Sequence, residues 1–145
     1  MPSYTSAVAL PCLTHIGVVV KNIDKTTEFL SSILGLGPWQ YLEYSPPKDE
    51  IMAGEPFRNK VALAKLGPVT LVLIQPLEGR AIWSQFLETK GEGLFNLVFN
   101  VSNWEDMVLK LQKHGSNMIA GAIFEGRRWC YFDTKPGGII AEFEE

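Results

Sequence analysis

The sequence predicts an α+β protein in which two βαβββ half-domains form a curved half-barrel sheet around a central cleft. The first observation is a repeat: residues 13–22 and 94–103 share one apolar pattern at an offset of 81 residues (94 − 13 = 81). The second is that each copy continues into a helical stretch and then strand-like runs, an order typical of layered α+β domains. We therefore assign residues 11–79 to the first half-domain and residues 80–145 to the second, together one domain.

The first half begins with a buried strand, because the run from Ile16 to Val20 is apolar and rich in β-branched residues. Asp24 is the predicted N-cap of the following helix, and Gly35 is its predicted left-handed end. We expect the apolar side of this helix to pack on the sheet. Its residues are Ile23, Phe29, Leu30, Ile33 and Leu34.

The rest of the first half is predicted to contain a loop and a hairpin. Residues 37–57 are rich in proline and glycine, which predicts one strand and a long loop of the kind that serves binding. Residues 60–66 and 69–74 form two strand-like runs separated by Gly67-Pro68, so they predict a hairpin.

The second half repeats this order after a short connecting helix at residues 82–87. Asn103 is the predicted N-cap of a helix that ends at His114-Gly115. Three predicted strands follow, and turn-like segments separate them. They span residues 118–124, 128–133 and 139–143.

Composition and charge exclude several classes of protein. A chain of 145 residues with a net charge of −3 and scattered Lys and Arg carries no basic footprint for nucleic acid. Its apolar runs are shorter than the roughly 18 residues needed to span a bilayer, and its start lacks the layout of a signal peptide. We therefore predict a cytoplasmic protein without a nucleic-acid or membrane partner, in which Cys12 and Cys130 are reduced thiols.

Four segments resemble the vicinal oxygen chelate superfamily, which includes glyoxalases, bleomycin-resistance proteins, extradiol dioxygenases and methylmalonyl-CoA epimerases. They are Thr14 to Val20, Phe29 to Gly37, Gly91 to Phe99, and Phe132 to Gly138 before Glu142. The stretches Gly91-Glu92-Gly93-Leu94 and Leu73-Ile74-Gln75-Pro76-Leu77 are similar to the epimerase branch. The resemblance implies a homodimer of half-barrel domains.

In that superfamily a divalent metal is held by one residue on the first strand and one on the last strand of each half. Carried over by the resemblance, those positions are His15, Val72, Asn96 and Glu142. Valine cannot coordinate a metal, and an amide oxygen is a poor replacement for imidazole at a transition metal. We therefore predict that His15 and Glu142 form a weak or absent metal site and that no cofactor is required, the alternative being a weakly bound divalent metal.

Strand alternation predicts which neighbours share the cleft, because residues two apart lie on one face of a sheet. Leu13, Gly17 and Val19 should lie on the face of His15, and Ile140 on that of Glu142. The other predicted cleft residues are Thr70, Val72 and Ile74 on one strand and Leu94, Asn96 and Val98 on another. Such a cleft would be mostly apolar around a small polar group, as in many small-molecule sites.

Aromatic residues supply a second set of candidate contacts to a ligand. Phe95, Trp39, Tyr44, Trp129 and Tyr131 are predicted to wall a pocket for a bulky or planar molecule, whereas core packing and dimer contact are the simpler explanation. Structural roles also remain open for the polar candidates. His15 and Asn96 could be hydrogen-bonded strand residues, and Glu142 could be ordinary surface charge.

Three functions are compatible with these residues. The first is an isomerase, epimerase or lyase that transfers a proton on a carbonyl compound, with Glu142 as the base and His15 and Asn96 holding the oxygen. Glu55 is a further candidate base, by resemblance to the epimerases. The second is a non-catalytic protein that binds an aromatic small molecule, and the third is a metal-dependent glyoxalase-like or epimerase-like enzyme.

Overall fold

The computed structural model describes residues 6, 8–134 and 138–145. Lys135, Pro136 and Gly137, which belong to the motif before the last strand, lie outside the described residues. Eight strands and three α-helices follow one another along the described chain. They are β1 Leu13–Val19, α1 Ile23–Leu34, β2 Gln40–Tyr44, β3 Arg58–Leu66, β4 Val69–Glu78, α2 Ile82–Lys90, β5 Gly93–Asn100, α3 Trp104–Lys113, β6 Met118–Phe124, β7 Arg127–Asp133 and β8 Ile140–Glu144.

The strands form one curled sheet in the order β2-β3-β4-β1-β5-β8-β7-β6. β1 pairs in parallel with β4, β5 pairs in parallel with β8, and the antiparallel β1–β5 pair joins the two halves. Helices α1 and α3 cover separate apolar clusters of the sheet, and a third cluster contains Trp83, Trp129 and Tyr131. The predicted α+β half-barrel is therefore confirmed.

Helix α1 differs from the prediction at its N-terminus and on its apolar side. Asn22, not Asp24, caps the helix by accepting a hydrogen bond from the backbone N–H of Lys25, and the carboxylate of Asp24 instead binds Lys60. The end at Gly35 is as predicted, with a φ of 67°. The buried residues of the helix are Ile23 and Thr27.

A second apolar stripe on α1 faces outward instead of packing on the sheet. The exposed fractions are 59% for Phe29 and 64% for both Ile33 and Leu34. Phe29 and Ile33 are four residues apart and so share one helix face, but that face is turned away from Ile23 and Thr27. Helical spacing located the apolar residues and could not tell which of two stripes would be buried.

Helix α3 begins and ends where the sequence predicts. Asn103 precedes Trp104 at the N-cap position, but within the described part of the chain its side chain makes no capping hydrogen bond. The indole of Trp104 donates to the carbonyl of Phe143 at 3.0 Å and ties the helix to β8. The helix therefore begins at a residue that is anchored by packing on the sheet.

The segment between β2 and β3 joins the two edges of the curled sheet. The backbone N–H groups of Met52 and Ala53 donate to the carbonyl of Gly121 in β6, and the N–H of Gly121 donates to the carbonyl of Ala53. The hydroxyl of Tyr44 in β2 donates to the carbonyl of Ile123 at 2.7 Å. Because β2 and β6 are the edge strands, these bonds close one side of the cleft.

The two cysteines are free thiols in different surroundings, so thiol titration should distinguish them. Cys12 is exposed, whereas burial raises the pKa of Cys130 to about 12 and leaves that thiol protonated. At pH 8 we expect a disulfide reagent to label one thiol of the native protein rapidly and the second only after unfolding in guanidinium. A Cys12→Ser variant should lose the rapid phase, and two rapid phases in the native protein would contradict this prediction.

Candidate functional site

The concave side of the sheet holds a pocket of about 780 Å³, including its open mouth. Polar groups come from β1, β2, β3, β5, α2, β7 and β8, and the remaining wall is apolar or aromatic. The lining residues are His15, Leu42, Tyr44, Asn59, Val61, Leu63, Val72, Ile74, Trp83, Asn96, Val98, Phe124, Trp129, Tyr131, Glu142 and Glu144. His15 and Glu142 thus lie in one cavity, as the resemblance implied.

Two neighbouring rows across the sheet carry the four positions that the family uses for metal. In one row His15 is paired with Val98 and Val98 with Glu142, so one strand separates His15 from Glu142. In the other row Gly17 lies between Val72 and Asn96. Two interstrand spacings place the Cα atoms of His15 and Glu142 about 10 Å apart, with space for a small molecule over Val98.

Two β-bulges change the faces that simple alternation predicts. Thr14 is an extra residue between the pairs Leu13–Phe99 and His15–Val98, so Leu13 packs in the cluster under α3 instead of beside His15. Phe95 is an extra residue in β5, and Leu94 is consequently 73% exposed and does not line the pocket. Leu94 is therefore not among the residues that line the pocket, because a bulge turns residues of one strand to new faces.

Gly17 makes room for the side chain of Asn96. A Cβ at position 17 would overlap the amide oxygen of Asn96, whose side chain is folded over the backbone of Gly17. This orientation directs Nδ2 of Asn96 towards Glu142, to which it donates a hydrogen bond of 3.3 Å. Asn96 is therefore a positioning residue for the carboxyl group of Glu142.

Glu142 is the most strongly perturbed acid of the pocket. Its accessible surface opens into the cavity, and desolvation of the deeply placed carboxyl group raises its pKa well above the ordinary range. The nearby carboxylate of Glu144 raises the pKa further, whereas hydrogen bonds from Tyr131 and Asn96 oppose the shift. The carboxyl group consequently holds its proton to a higher pH than an exposed glutamate does.

This raised pKa predicts a pH-dependent gain in stability on removal of the acid. Below the ordinary glutamate pKa, Glu142 is protonated in both the folded and the unfolded chain, so its ionisation does not affect the free energy of unfolding. As pH rises, the unfolded chain releases this proton more readily than the folded chain, and folding is disfavoured. Glu142→Gln should therefore be more stable than the wild type at pH 7–8, by about 1.4 kcal/mol for each unit of pKa elevation titrated. Urea unfolding from pH 4 to 8 tests this, and the two curves should converge near pH 4.

Glu145 offers a control of opposite sign. Hydrogen bonds from Arg128 lower the pKa of Glu145 to about 2, so its stabilising effect is present above the ordinary glutamate pKa and is lost as pH falls towards 2. Glu145→Gln should accordingly be less stable than the wild type at neutral pH. An equal response of the two variants would show that the shift at Glu142 is not caused by its burial.

Hydrogen bonding fixes the tautomer of His15. The hydroxyl of Thr14 donates its proton to the carbonyl of Val98 at 3.0 Å, so it can only accept from Nδ1 of His15, which lies 2.9 Å away. In the neutral imidazole the lone pair is then on Nε2. A carboxylate oxygen of Glu144 lies 3.7 Å from Nδ1.

Aromatic rings form the wall beside the acid, since Tyr131 and Trp129 on β7 are paired with Glu142 and Glu144 on β8. The hydroxyl of Tyr44 accepts a hydrogen bond of 2.9 Å from the indole of Trp129, and burial raises the pKa of Tyr44 to about 12. The rings of Trp129 and Tyr131 lie 5.0 Å apart between centroids, and those of Trp83 and Tyr131 lie 5.7 Å apart. These contacts hold the wall rigidly, which suits a planar ligand.

Four other predicted site residues lie outside the pocket. Trp39 packs on α1 and donates to Ser31 at 2.8 Å, and Glu55 is exposed in the segment between β2 and β3. Phe95 is 5% exposed and stacks on Phe86 behind the wall. Thr70 is paired with His15 in the sheet without lining the cavity. Direct contact with a ligand is therefore not supported for these residues.

The site residues predicted from the sequence leave out Asn59, Trp83 and Glu144, which also line the pocket. Asn59, Val61 and Leu63 are two residues apart along β3 and therefore share a face of the sheet. This signal was not available because the strand was predicted to begin at residue 60, whereas it begins at Arg58. Glu144 lies two residues after Glu142 on β8, so alternation alone places both carboxyl groups on one face.

The four family positions do not fit a divalent metal. Valine at position 72 has no donor atom, Nδ2 of Asn96 is directed at Glu142, and Oδ1 of Asn96 lies against Gly17. Protein metal sites usually need about three ligands, and only His15 and Glu142 remain. Across residues 6, 8–134 and 138–145 no group of three or more His, Cys, Asp or Glu is arranged to hold an ion. Metal analysis of the purified protein tests the prediction of weak or absent binding.

The chain belongs to the Glyoxalase/Bleomycin resistance protein/Dioxygenase superfamily, whose pattern matches residues 14–132. The uncharacterized protein YqjC of Bacillus subtilis (strain 168) is 32% identical over 87 residues, which are 60% of this chain and 55% of YqjC. The chain thus matches about half the length of that relative.

Solved structures with the same fold include methylmalonyl-CoA epimerases. The enzyme from Mycobacterium tuberculosis superposes with a TM-score of 0.68 at 20% identity, covering 98% of this chain and 92% of the epimerase. A variant of the Streptomyces coelicolor epimerase in complex with 2-nitronate-propionyl-CoA gives a TM-score of 0.72 at 18% identity and covers 94% of both chains. At these identities the likeness shows the fold alone. The predicted superfamily is confirmed by the family pattern over residues 14–132.

Proposed function

We propose that this protein is an isomerase, epimerase or lyase that transfers a proton on a carbonyl-containing small molecule without a tightly bound metal. The observation that supports the proposal most directly is the carboxyl group of Glu142, which lies deep in a mostly apolar pocket, has a raised pKa and accepts hydrogen bonds from Asn96 and Tyr131. Acids tuned in this way are typical of proton-transfer sites.

The hydrogen bonds suggest how the proton would move. Nε2 of His15 carries the lone pair and accepts a proton from the carbon next to the carbonyl, while the protonated carboxyl of Glu142 donates its proton to the carbonyl oxygen. The C–H electrons form the new C=C bond, and the C=O π electrons take up the proton from Glu142, which gives a neutral enol. Return of protons to carbon and from the enol oxygen regenerates both groups.

These roles differ from those expected on sequence grounds. Asn96 was expected to hold the substrate oxygen, but its NH₂ group is directed at Glu142. The sequence-based expectation makes Glu142 the base, whereas a raised pKa favours the protonated form of the carboxyl group, and we therefore assign Glu142 the role of the acid. We assign the proton acceptor to His15 and the positioning of Glu142 to Asn96.

Exchange of substrate hydrogen with solvent provides the test. In D₂O, ketones with a hydrogen next to the carbonyl, such as 1-phenylpropan-2-one, should lose that C–H signal in proton NMR faster with the protein than with buffer alone. Loss of exchange in a His15→Ala variant would assign it to this pocket. Absence of catalysed exchange for aliphatic and aromatic ketones and thioesters that bind to the protein would contradict the proposal.

A second candidate function is non-catalytic binding of an aromatic small molecule. It is favoured by the rings that line the cavity, contributed by Tyr44, Trp83, Phe124, Trp129 and Tyr131. Such a protein needs no acid or base, so substitution of Glu142 by Gln would leave affinity intact. Tight binding of a carbonyl compound without hydrogen exchange would favour this function.

The remaining properties of the protein are also proposals. We propose a carbonyl or aromatic small molecule as its ligand, a homodimer as its assembly and the cytoplasm as its location. Light scattering tests the homodimer. No α-helix in the described ranges is long and apolar enough to cross a bilayer.

A further inference from the structure

The charge of the pocket is one-sided. Glu142 and Glu144 contribute two carboxyl groups and His15 one imidazole, whereas no Lys or Arg of the described ranges lines the cavity. An anion that entered would lose its hydration next to the carboxylate of Glu144 and the carboxyl group of Glu142, and among the described lining residues only His15 could offer it a positive charge. The interior is therefore unfavourable for carboxylates, sulfonates and phosphates.

Three residues that line the cavity carry a buried polar atom without a hydrogen-bond partner among the described residues: Oδ1 of Asn59, Nε1 of Trp83 and Oδ1 of Asn96, the last of which is folded against Gly17. Asn59 on β3 is only 3% exposed, and its Oδ1 has no hydrogen-bond partner among the described residues. A buried carbonyl oxygen left unpaired costs about 1–3 kcal/mol, so a ligand group that hydrogen-bonds to it would be favoured. The missing group must be an N–H or O–H donor, because Oδ1 can only accept.

We propose that the pocket binds an aromatic molecule that carries no negative charge and presents an N–H or O–H group to Asn59. The aromatic wall accommodates the ring system, Asn59 selects the donor, and the acidic groups select against anions. The inference rests on the proposed function only in placing the substrate in this pocket.

Two fluorescent probes with one skeleton isolate the effect of charge. N-phenyl-1-naphthylamine is neutral and has an N–H donor, and 8-anilino-1-naphthalenesulfonate adds a single sulfonate. We expect the neutral probe to bind with a dissociation constant at least about tenfold lower, since burial of an unpaired charge is costly. Equal or tighter binding of the sulfonate in the pocket would overturn the proposal.

Localisation of the probe uses two independent measurements. Val72→Trp should fill the cavity and remove the tight binding phase, with circular dichroism as a check on folding. Energy transfer from Trp83 and Trp129, which line the pocket, to the bound neutral probe should be observed in the wild type.

A double variant, Glu142→Gln with Glu144→Gln, tests whether the acids select the charge of the ligand. It should bind the sulfonate probe more tightly than the wild type does, so that the two probes differ less in affinity. An unchanged difference in affinity would show that these acids do not select the charge.

A second pair of matched compounds tests whether the ligand donates a hydrogen bond to Asn59. Asn59→Leu removes the acceptor at similar volume and should weaken N-phenyl-1-naphthylamine binding by about fivefold to tenfold, the effect of one hydrogen bond. Competition by 1-benzylnaphthalene, in which CH₂ replaces N–H, should be unaffected. Unchanged affinity for the amine would overturn the role of Asn59.

Failure of this inference can be told apart from failure of the proposed function. Probe affinity is an equilibrium measurement that needs no turnover, whereas hydrogen exchange reports proton transfer. Tight binding of the sulfonate together with exchange of ketone hydrogens would overturn the charge selection alone. Selective binding of the neutral amine without exchange of any bound ketone would support the ligand class and overturn the enzyme.

Discussion

Glu142→Gln is expected to lower kcat for ketone hydrogen exchange by about 10²–10⁴-fold, the usual contribution of general acid–base catalysis. The amide keeps the volume of the side chain and can still donate a hydrogen bond, but it cannot transfer a proton to the carbonyl oxygen. KM should change little, because the pocket walls are unaltered. Initial rates from proton NMR in D₂O, measured against ketone concentration, give both constants.

The pH profile of the same reaction identifies the protonation state that acts. If the protonated carboxyl is the acid, the wild-type rate falls as pH rises through the raised pKa of Glu142, and this alkaline decline is absent from the residual activity of Glu142→Gln. Glu88→Gln on the exposed side of α2 is a matched control that should retain the wild-type rate and profile. Undiminished turnover in Glu142→Gln would remove Glu142 from the mechanism.

Gly17→Ala is expected to destabilise the fold by about 1–3 kcal/mol, the usual cost of forcing an extra methyl group into a filled space. The methyl group would occupy the position of the Asn96 amide oxygen, so either the amide or the β1–β5 pairing must shift. Urea unfolding followed by tryptophan fluorescence measures the loss. Kinetic measurements on the same variant should also show reduced turnover, since a displaced Asn96 no longer directs its amide at Glu142.

A double-mutant cycle separates this clash from general damage to β1. If the overlap with Asn96 is the cause, Gly17→Ala in an Asn96→Ala background should cost much less than in the wild type, because the blocking oxygen is absent. Equal costs in both backgrounds would show that the methyl group conflicts with other atoms.

Local patterns were sufficient for much of the architecture. Apolar alternation and helix-ending glycines located most of the elements, and Gly35 ends α1 as predicted. Long-range packing decided the rest. Whether Phe29 and Ile33 or Ile23 and Thr27 face the sheet depends on the residues that the helix meets, which its own spacing does not specify.

The candidate site shows the same division at the level of single residues. Alternation placed His15, Val72, Ile74, Asn96, Val98 and Glu142 on the cleft side, and the structure brings these residues to one pocket. It failed at Leu13 and Leu94, because the bulges at Thr14 and Phe95 each insert one residue and reverse the faces beyond them. A bulge arises from a mismatch between two strands, so neither strand reveals it when it is read alone.

By itself, the sequence determined the order of the elements, the superfamily and the chemical identity of the groups available for catalysis, because these depend on local pattern and on residue type. Only the tertiary structure decided the proton on Nδ1 of His15, the raised pKa of Glu142 and the unpaired oxygen of Asn59. Each of these properties is produced by atoms from distant parts of the chain. Burial and hydrogen bonds between strands determine which groups are protonated and which polar atoms remain unpaired. Both arise only when the sheet has curled around the pocket.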